Sequence, residues 1–134
     1  MNSIARTYMK LKTFFYWHFL SDNHNVSGHP VLNGCAVCLG RGTIEFGNNV
    51  HLGFYPSPFL FNTYIHLEAR ESNCLIKIGN ETFFNNNATI IAASSPSNKI
   101  SKILIGSDCM IGMNFLCLNS DFHALQVRDR NNPA

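Results

Sequence analysis

The chain has 134 residues, of which 46% are hydrophobic and only 13% charged, about half the charged share of an average domain. That excludes a disordered chain, leaves room for one domain rather than separate catalytic and regulatory modules, and leaves a surface suited to packing against copies of itself. A net charge of +2 is too mild for a nucleic-acid footprint, so no nucleic-acid partner is expected.

The first element is a helix over residues 4–20, where Ile4, Tyr8, Leu11, Phe15 and Phe19 recur at helical spacing beside Arg6, Lys10 and Lys12. Its apolar run, Phe14 to Leu20, is too short to cross a bilayer, which takes about 20 residues. The favoured reading is a helix capping the end of a β-structure, and weak association with a membrane surface stays open. His18, His24 and His29 lie in or just after it; His24 and His29 are five apart with no third ligand in register and are read as loop residues. Residues 1–25 are therefore a helix and linker, and residues 26–134 a β domain.

Cys35 and Cys38 then form a C-x-x-C without a second pair or a histidine pair at zinc spacing, and no metal is expected. The five cysteines are an odd number, mostly inside apolar runs, and no secretory signal precedes them. A reducing cytoplasm and structural thiols follow. The sequons at Asn25, Asn80 and Asn87 then reflect only an asparagine content of 17. Asparagine turns a chain without glycine, which suits a protein of many tight corners.

From Val26 onward, short β-prone pieces alternate with Gly, Asn and Ser. Faint steps of six run from Val31 to Val37, Ile44 to Val50 and Phe46 to Leu52. Trp17 and the aromatic cluster Phe54–Phe61 fit either an acceptor cleft or packing in the core or between subunits. The repeat is clear at Ile78, Phe84 and Ile90, and again at Ile105, Ile111 and Cys117. Gly79, Gly106 and Gly112 each follow an apolar position, and Thr82, Ala88 and Cys109 sit four after one. Three six-residue faces close an 18-residue triangular coil, with the apolar residue inward, the small residue at a cramped corner and Gly or Asn turning the chain. Ile78 and Ile105 are 27 residues apart, one coil plus nine, and the surplus falls in Ala92–Lys102. That is a loop pushed from one corner, either beside a site or a plain surface excursion.

These segments, Ile78–Ile91, Ile105–Gly112 and Ser120-Asp121-Phe122-His123, resemble the hexapeptide-repeat acyltransferases. That family includes the maltose, galactoside and virginiamycin O-acetyltransferases and O-acetyltransferases of surface polysaccharides. The resemblance covers residues 74–125 best and implies an all-β, left-handed parallel β-helix with a short N-terminal α-helix. It also implies a homotrimer, acetyl-CoA as acyl donor and a saccharide hydroxyl as acceptor. In relatives with the Asp-Phe-His ending the histidine is the catalytic base, which carries that role to His123. A hydroxyl is a poor nucleophile near neutral pH, and an imidazole, with an ordinary pKa of about 6.5, can take its proton. Strict register puts His123 on a core-facing position, so a bulge over Ser120–Phe122 is needed to turn it outward. By the same resemblance Asn85 lies near the developing oxyanion, with Asn87 and Asp121 at the substrate. Relatives continue with further coils that hold most of the cofactor. The C-terminal coils are expected to be missing here, and these residues alone to hold acetyl-CoA weakly.

Two other functions compete. One is a non-catalytic solenoid serving as a scaffold or trimerisation piece. The other is a zinc enzyme resembling the gamma-class carbonic anhydrases, against which His51, His66 and His123 lack the close histidine pair.

Overall fold

A computed structural model describes residues 1–94, 100–120 and 127–129. Helix α1 spans Ser3–Phe19. The Asn2 side chain caps it, accepting from the Ala5 N–H at 2.8 Å, and Ser21 Oγ donates back to the Tyr16 carbonyl beyond its last turn. Met9 and Thr13 are its buried residues, and Met9 joins Cys35 and Leu60 in a small cluster of its own. Among the described residues no helix is long and apolar enough to cross a membrane.

Among the described residues twelve short strands follow in four turns of three. The first turn has β1 (Val26–Ser27), β2 (Val31–Leu32) and β3 (Ala36–Gly40). The second has β4 (Thr43–Phe46), β5 (His51–Leu52) and β6 (Ile65–Ala69). The third has β7 (Cys74–Ile78), β8 (Phe83–Phe84) and β9 (Thr89–Ala92), and the fourth β10 (Ser101–Ile105), β11 (Met110–Ile111) and β12 (Leu116–Leu118). A 3-10 turn, Val127–Asp129, is the last described element. Each turn adds one strand to each of three four-stranded sheets, β1-β4-β7-β10, β2-β5-β8-β11 and β3-β6-β9-β12. Every pairing is parallel, the architecture of a parallel β-helix.

Alternation along each strand sends one row of side chains into the bore. Ile44, Ile76 and Ile103 stack in the first sheet, Leu32, Leu52, Phe84 and Ile111 in the second, and Cys38, Leu67, Ile90 and Cys117 in the third. Ile78, Phe84 and Ile90 are buried, as the repeat requires. Ile105, Ile111 and Cys117 pack against the same core but are only partly covered, because no further turn lies over them among the described residues. At the first turn Trp17 packs against Phe46, ring centroids 6.2 Å apart, where Gly28 stands in register and contributes no side chain. Trp17 thus packs on the core from outside the repeat.

The corners account for three of the asparagines. Asn49, Glu81 and Asp108 occupy one corner of successive turns with φ of 53°, 53° and 57°, and Asn87 and Asn114 occupy the next with 62° and 61°. Asn and Asp tolerate this left-handed backbone better than most residues, and Glu81 is held there by accepting from the Asn49 amide. Thr82, wholly buried inside the first of these corners, donates from Oγ1 to the Gly106 carbonyl of the next turn at 2.8 Å.

Two features depart from the sequence reading. The first-turn step falls on Leu32 to Cys38, not Val31 to Val37, and a slip of one residue reverses the face each side chain occupies. The surplus before Ser101 stands, since Ser101, Met110 and Leu116 pair with Cys74, Phe83 and Thr89, all 27 residues earlier. A second surplus of the same size separates Leu52 from Leu67, fifteen residues apart where the repeat needs six. It forms a loop over residues 53–64 that the sequence showed only as an aromatic cluster.

Candidate functional site

Three consecutive asparagines follow β8 and do three different things. The buried Asn86 holds the 53–64 loop. Its Nδ2 donates to the carbonyls of Phe54 (3.0 Å), Pro58 (2.8 Å) and Ser57 (3.3 Å), and its Oδ1 accepts from the Phe54 N–H at 3.0 Å. Asn87 sits at its left-handed corner and donates from Nδ2 to Asn114 Oδ1 at 2.8 Å. Asn85 is half-buried, and its Oδ1 accepts from the Asn86 N–H at 2.7 Å. A backbone N–H can only donate, so the amide oxygen is the atom turned to it, and the NH2 is the end left for a ligand. Among the described residues nothing accepts from that NH2.

Asn85 lines a concavity of about 700 Å³ over the outer side of the β5-β8-β11 sheet. Phe83 and Met110 lie along it, Phe54 of the pinned loop walls it, and the carboxylates of Glu81 and Asp108 stand at the opposite corner. His51 adjoins it on the neighbouring strand, stacked on Phe83 at 4.4 Å between centroids. Its Nε2 lies 2.8 Å from Asn49 Oδ1 and its Nδ1 3.3 Å from Asn33 Nδ2. The two amides fit one tautomer, with Nδ1 accepting and Nε2–H donating. His51 is thereby bonded at both nitrogens. An aromatic face flanked by carboxylates and an amide is chemistry that suits a saccharide, whose rings carry apolar C–H faces between hydroxyls.

Asn87 is not in this cleft. It lines a smaller groove of about 280 Å³ outside β6 and β9, with Thr63, Tyr64 and His66. There β6 carries a ladder the sequence reading did not single out. His66 Nε2 lies 3.0 Å from Glu68 Oε2, and Arg70 Nε donates to Glu68 Oε1 at 2.7 Å. Burial works to raise the Glu68 carboxyl, but hydrogen bonds from Arg70 and His66 outweigh it and hold it below its ordinary range. The signal was available, because His66, Glu68 and Arg70 alternate and share one face of a strand.

The other sequence-derived site residues, Asp121 and His123, lie outside the described residues, two and four positions beyond Asn119. Asn119 anchors that end of the last turn, with Oδ1 accepting from the Ala93 N–H at 2.9 Å and Nδ2 donating to Ser101 Oγ at 2.6 Å. The C-x-x-C is divided between two environments. Cys38 faces the bore, where burial pushes its thiol up to about 12, and Cys35 faces the Met9–Leu60 cluster, where burial also raises it. All five cysteines are free. No group of three metal-ligating side chains occurs among the described residues.

Compared with models of known families, with curated proteins and with solved structures, the chain matches none.

Proposed function

We propose that the protein is an O-acetyltransferase of the hexapeptide-repeat class, a left-handed β-helix that moves an acetyl group from acetyl-CoA to a saccharide hydroxyl. The observation that carries the reading is the Asn85 amide, oriented by the Asn86 N–H and offering its NH2 to an aromatic, carboxylate-edged cleft. In this reading the acceptor ring lies along Phe83, with Glu81 and Asp108 receiving its hydroxyl protons in hydrogen bonds. His123 takes the proton of the reacting hydroxyl, with Asp121 beside it at the substrate. The hydroxyl oxygen attacks the thioester carbonyl, the tetrahedral oxyanion accepts a hydrogen bond from Asn85, and collapse expels the CoA thiolate, which takes up the proton. A single oxyanion donor of this kind contributes about 2.7–4 kcal/mol where it has been measured. Asn87, its nitrogen committed to Asn114, shapes the corner beside the site.

A homotrimer belongs to the same reading. Leu104, Met110 and Leu116 stand exposed on the outer faces of the three sheets, surface suited to neighbouring copies. Placement in the cytoplasm completes the proposal.

The test is His123→Ala in the full-length protein. Acetyl transfer should fall by about 10²-fold or more, with the circular dichroism spectrum unchanged. Retention of more than a tenth of wild-type turnover removes His123 from the mechanism.

A further inference from the structure

Helix α1 has two apolar faces, and the solenoid uses only one. Met9, Thr13, Tyr16 and Trp17 pack inward. The other face carries the stripe that first marked the helix in the sequence, and it points away from the protein: Ile4 is 81% exposed, Leu11 67% and Phe19 67%, with Tyr8 and Phe15 exposed between them. An amphipathic helix ordinarily turns such a stripe to the core. Here the core is already satisfied by the opposite side.

The charge around this ridge is one-sided. Ser3–Phe19 contains Arg6, Lys10, Lys12 and His18 and no acidic residue. Arg6, Lys10 and His18 line a groove of about 370 Å³ on the flank where the helix meets the solenoid, with the inward Met9, Thr13 and Trp17. Lys12 lies on the other flank and donates from Nζ to the Phe61 carbonyl at 2.6 Å. That bond, with Tyr16 against Tyr64 at 5.5 Å and Leu60 against Met9, ties the helix to the 53–64 loop. The loop has no charged residue and exposes Tyr55, Phe59, Phe61 and Tyr64. Helix and loop together form a broad aromatic and aliphatic surface edged by cations.

We propose that this surface docks on an anionic lipid bilayer, with α1 lying in the interfacial plane, its ridge among the acyl chains and headgroup phosphates against Arg6, Lys10 and His18. The helix is about 25 Å long, so the whole ridge reaches the interface when it lies flat. Apolar ridge, cationic flanks and interfacial aromatics are what such a surface selects. A second copy is the poorer occupant. Pairing two acid-free ridges sets Arg and Lys against Arg and Lys, whereas anionic headgroups complement both flanks.

The experiment is co-sedimentation of the full chain with vesicles of phosphatidylcholine alone or mixed equally with phosphatidylglycerol, alongside light scattering. The wild type should bind the anionic vesicles at least about tenfold more tightly than the neutral ones. Leu11→Ser with Phe15→Ser, both exposed and so compatible with the fold, should weaken binding at least about tenfold. Arg6→Glu with Lys10→Glu, which leaves the ridge intact, should abolish the preference for anionic lipid. Binding of either double variant at wild-type strength overturns the proposal. So does absent vesicle binding together with an oligomer that the ridge variant dissociates, which assigns the ridge to a second copy. Displacement by inorganic phosphate beyond the effect of chloride at equal ionic strength makes the groove a site for free phosphate and overturns the lipid assignment.

Discussion

Replacing Asn86 with alanine should cost about 2–3 kcal/mol of stability and release the 53–64 loop. The side chain is buried at 3% exposure and makes four contacts with the loop backbone. Its NH2 has two hydrogens for three carbonyls, so two full bonds and the one accepted from the Phe54 N–H are counted. Each contributes about 1 kcal/mol net, or about 3 in all. The loop is exposed enough for the Ser57 and Pro58 carbonyls to regain water, which lowers the figure, while the Phe54 N–H is partly buried and pushes it up. Urea unfolding followed by circular dichroism measures the global change, and limited chymotrypsin digestion reads cleavage after Phe54, Phe59 and Phe61. If local opening falls by about 2 kcal/mol, cleavage rises about 30-fold. Asn85→Ala, which removes one acceptor, should stay within about 1 kcal/mol and leave the loop protected. A loss below about 0.5 kcal/mol in Asn86→Ala, with unchanged cleavage, would refute the stapling role.

Gly79→Ala should destabilise by about 2–3 kcal/mol, because its methyl would lie 2.5 Å from the Ser107 backbone nitrogen of the next turn. Gly112→Ala, with nothing within 4 Å, should change unfolding by less than about 0.5 kcal/mol, and equal losses would contradict the stacking described. The Glu68 carboxyl, held below its ordinary value, stabilises the fold above its unfolded pKa and loses that contribution as pH falls through the folded value. Between about pH 6 and about pH 3, Glu68→Gln should therefore lose less stability than wild type, and parallel curves would count against the ladder. Iodoacetamide at about pH 8 should spare Cys38, buried with its thiol pushed up to about 12, while labelling the part-exposed Cys109 and Cys117. Rapid labelling of Cys38 in the folded protein would contradict its place in the bore.

The third and fourth turns were legible because each face there has its minimum length. Ile78, Phe84 and Ile90 step by six, and the same spacing returns at Ile105, Ile111 and Cys117. The second turn was obscured by the residues inserted between Leu52 and Leu67, and the first by Gly28, whose missing side chain is replaced by Trp17 from outside the repeat. Within the site, Asn85 could be picked out by its local context. Asn86 could not, because its partners are backbone groups of a loop 28 to 32 residues earlier, and no local spacing encodes a contact made by stacking one turn on another. The orientation of α1 was not legible for a related reason. Periodicity identifies an apolar stripe but not which of two apolar faces meets the core.

The most direct measurement is transfer of labelled acetyl from acetyl-CoA to a panel of saccharides by the full-length protein, wild type beside Asn85→Ala. The proposed acetyl transfer requires label in a saccharide ester with the wild type, and a loss of about 10²–10³-fold in turnover when the Asn85 amide is removed from an otherwise stable protein. Acetyl-CoA left intact with every acceptor, or equal turnover by the two proteins, would contradict it.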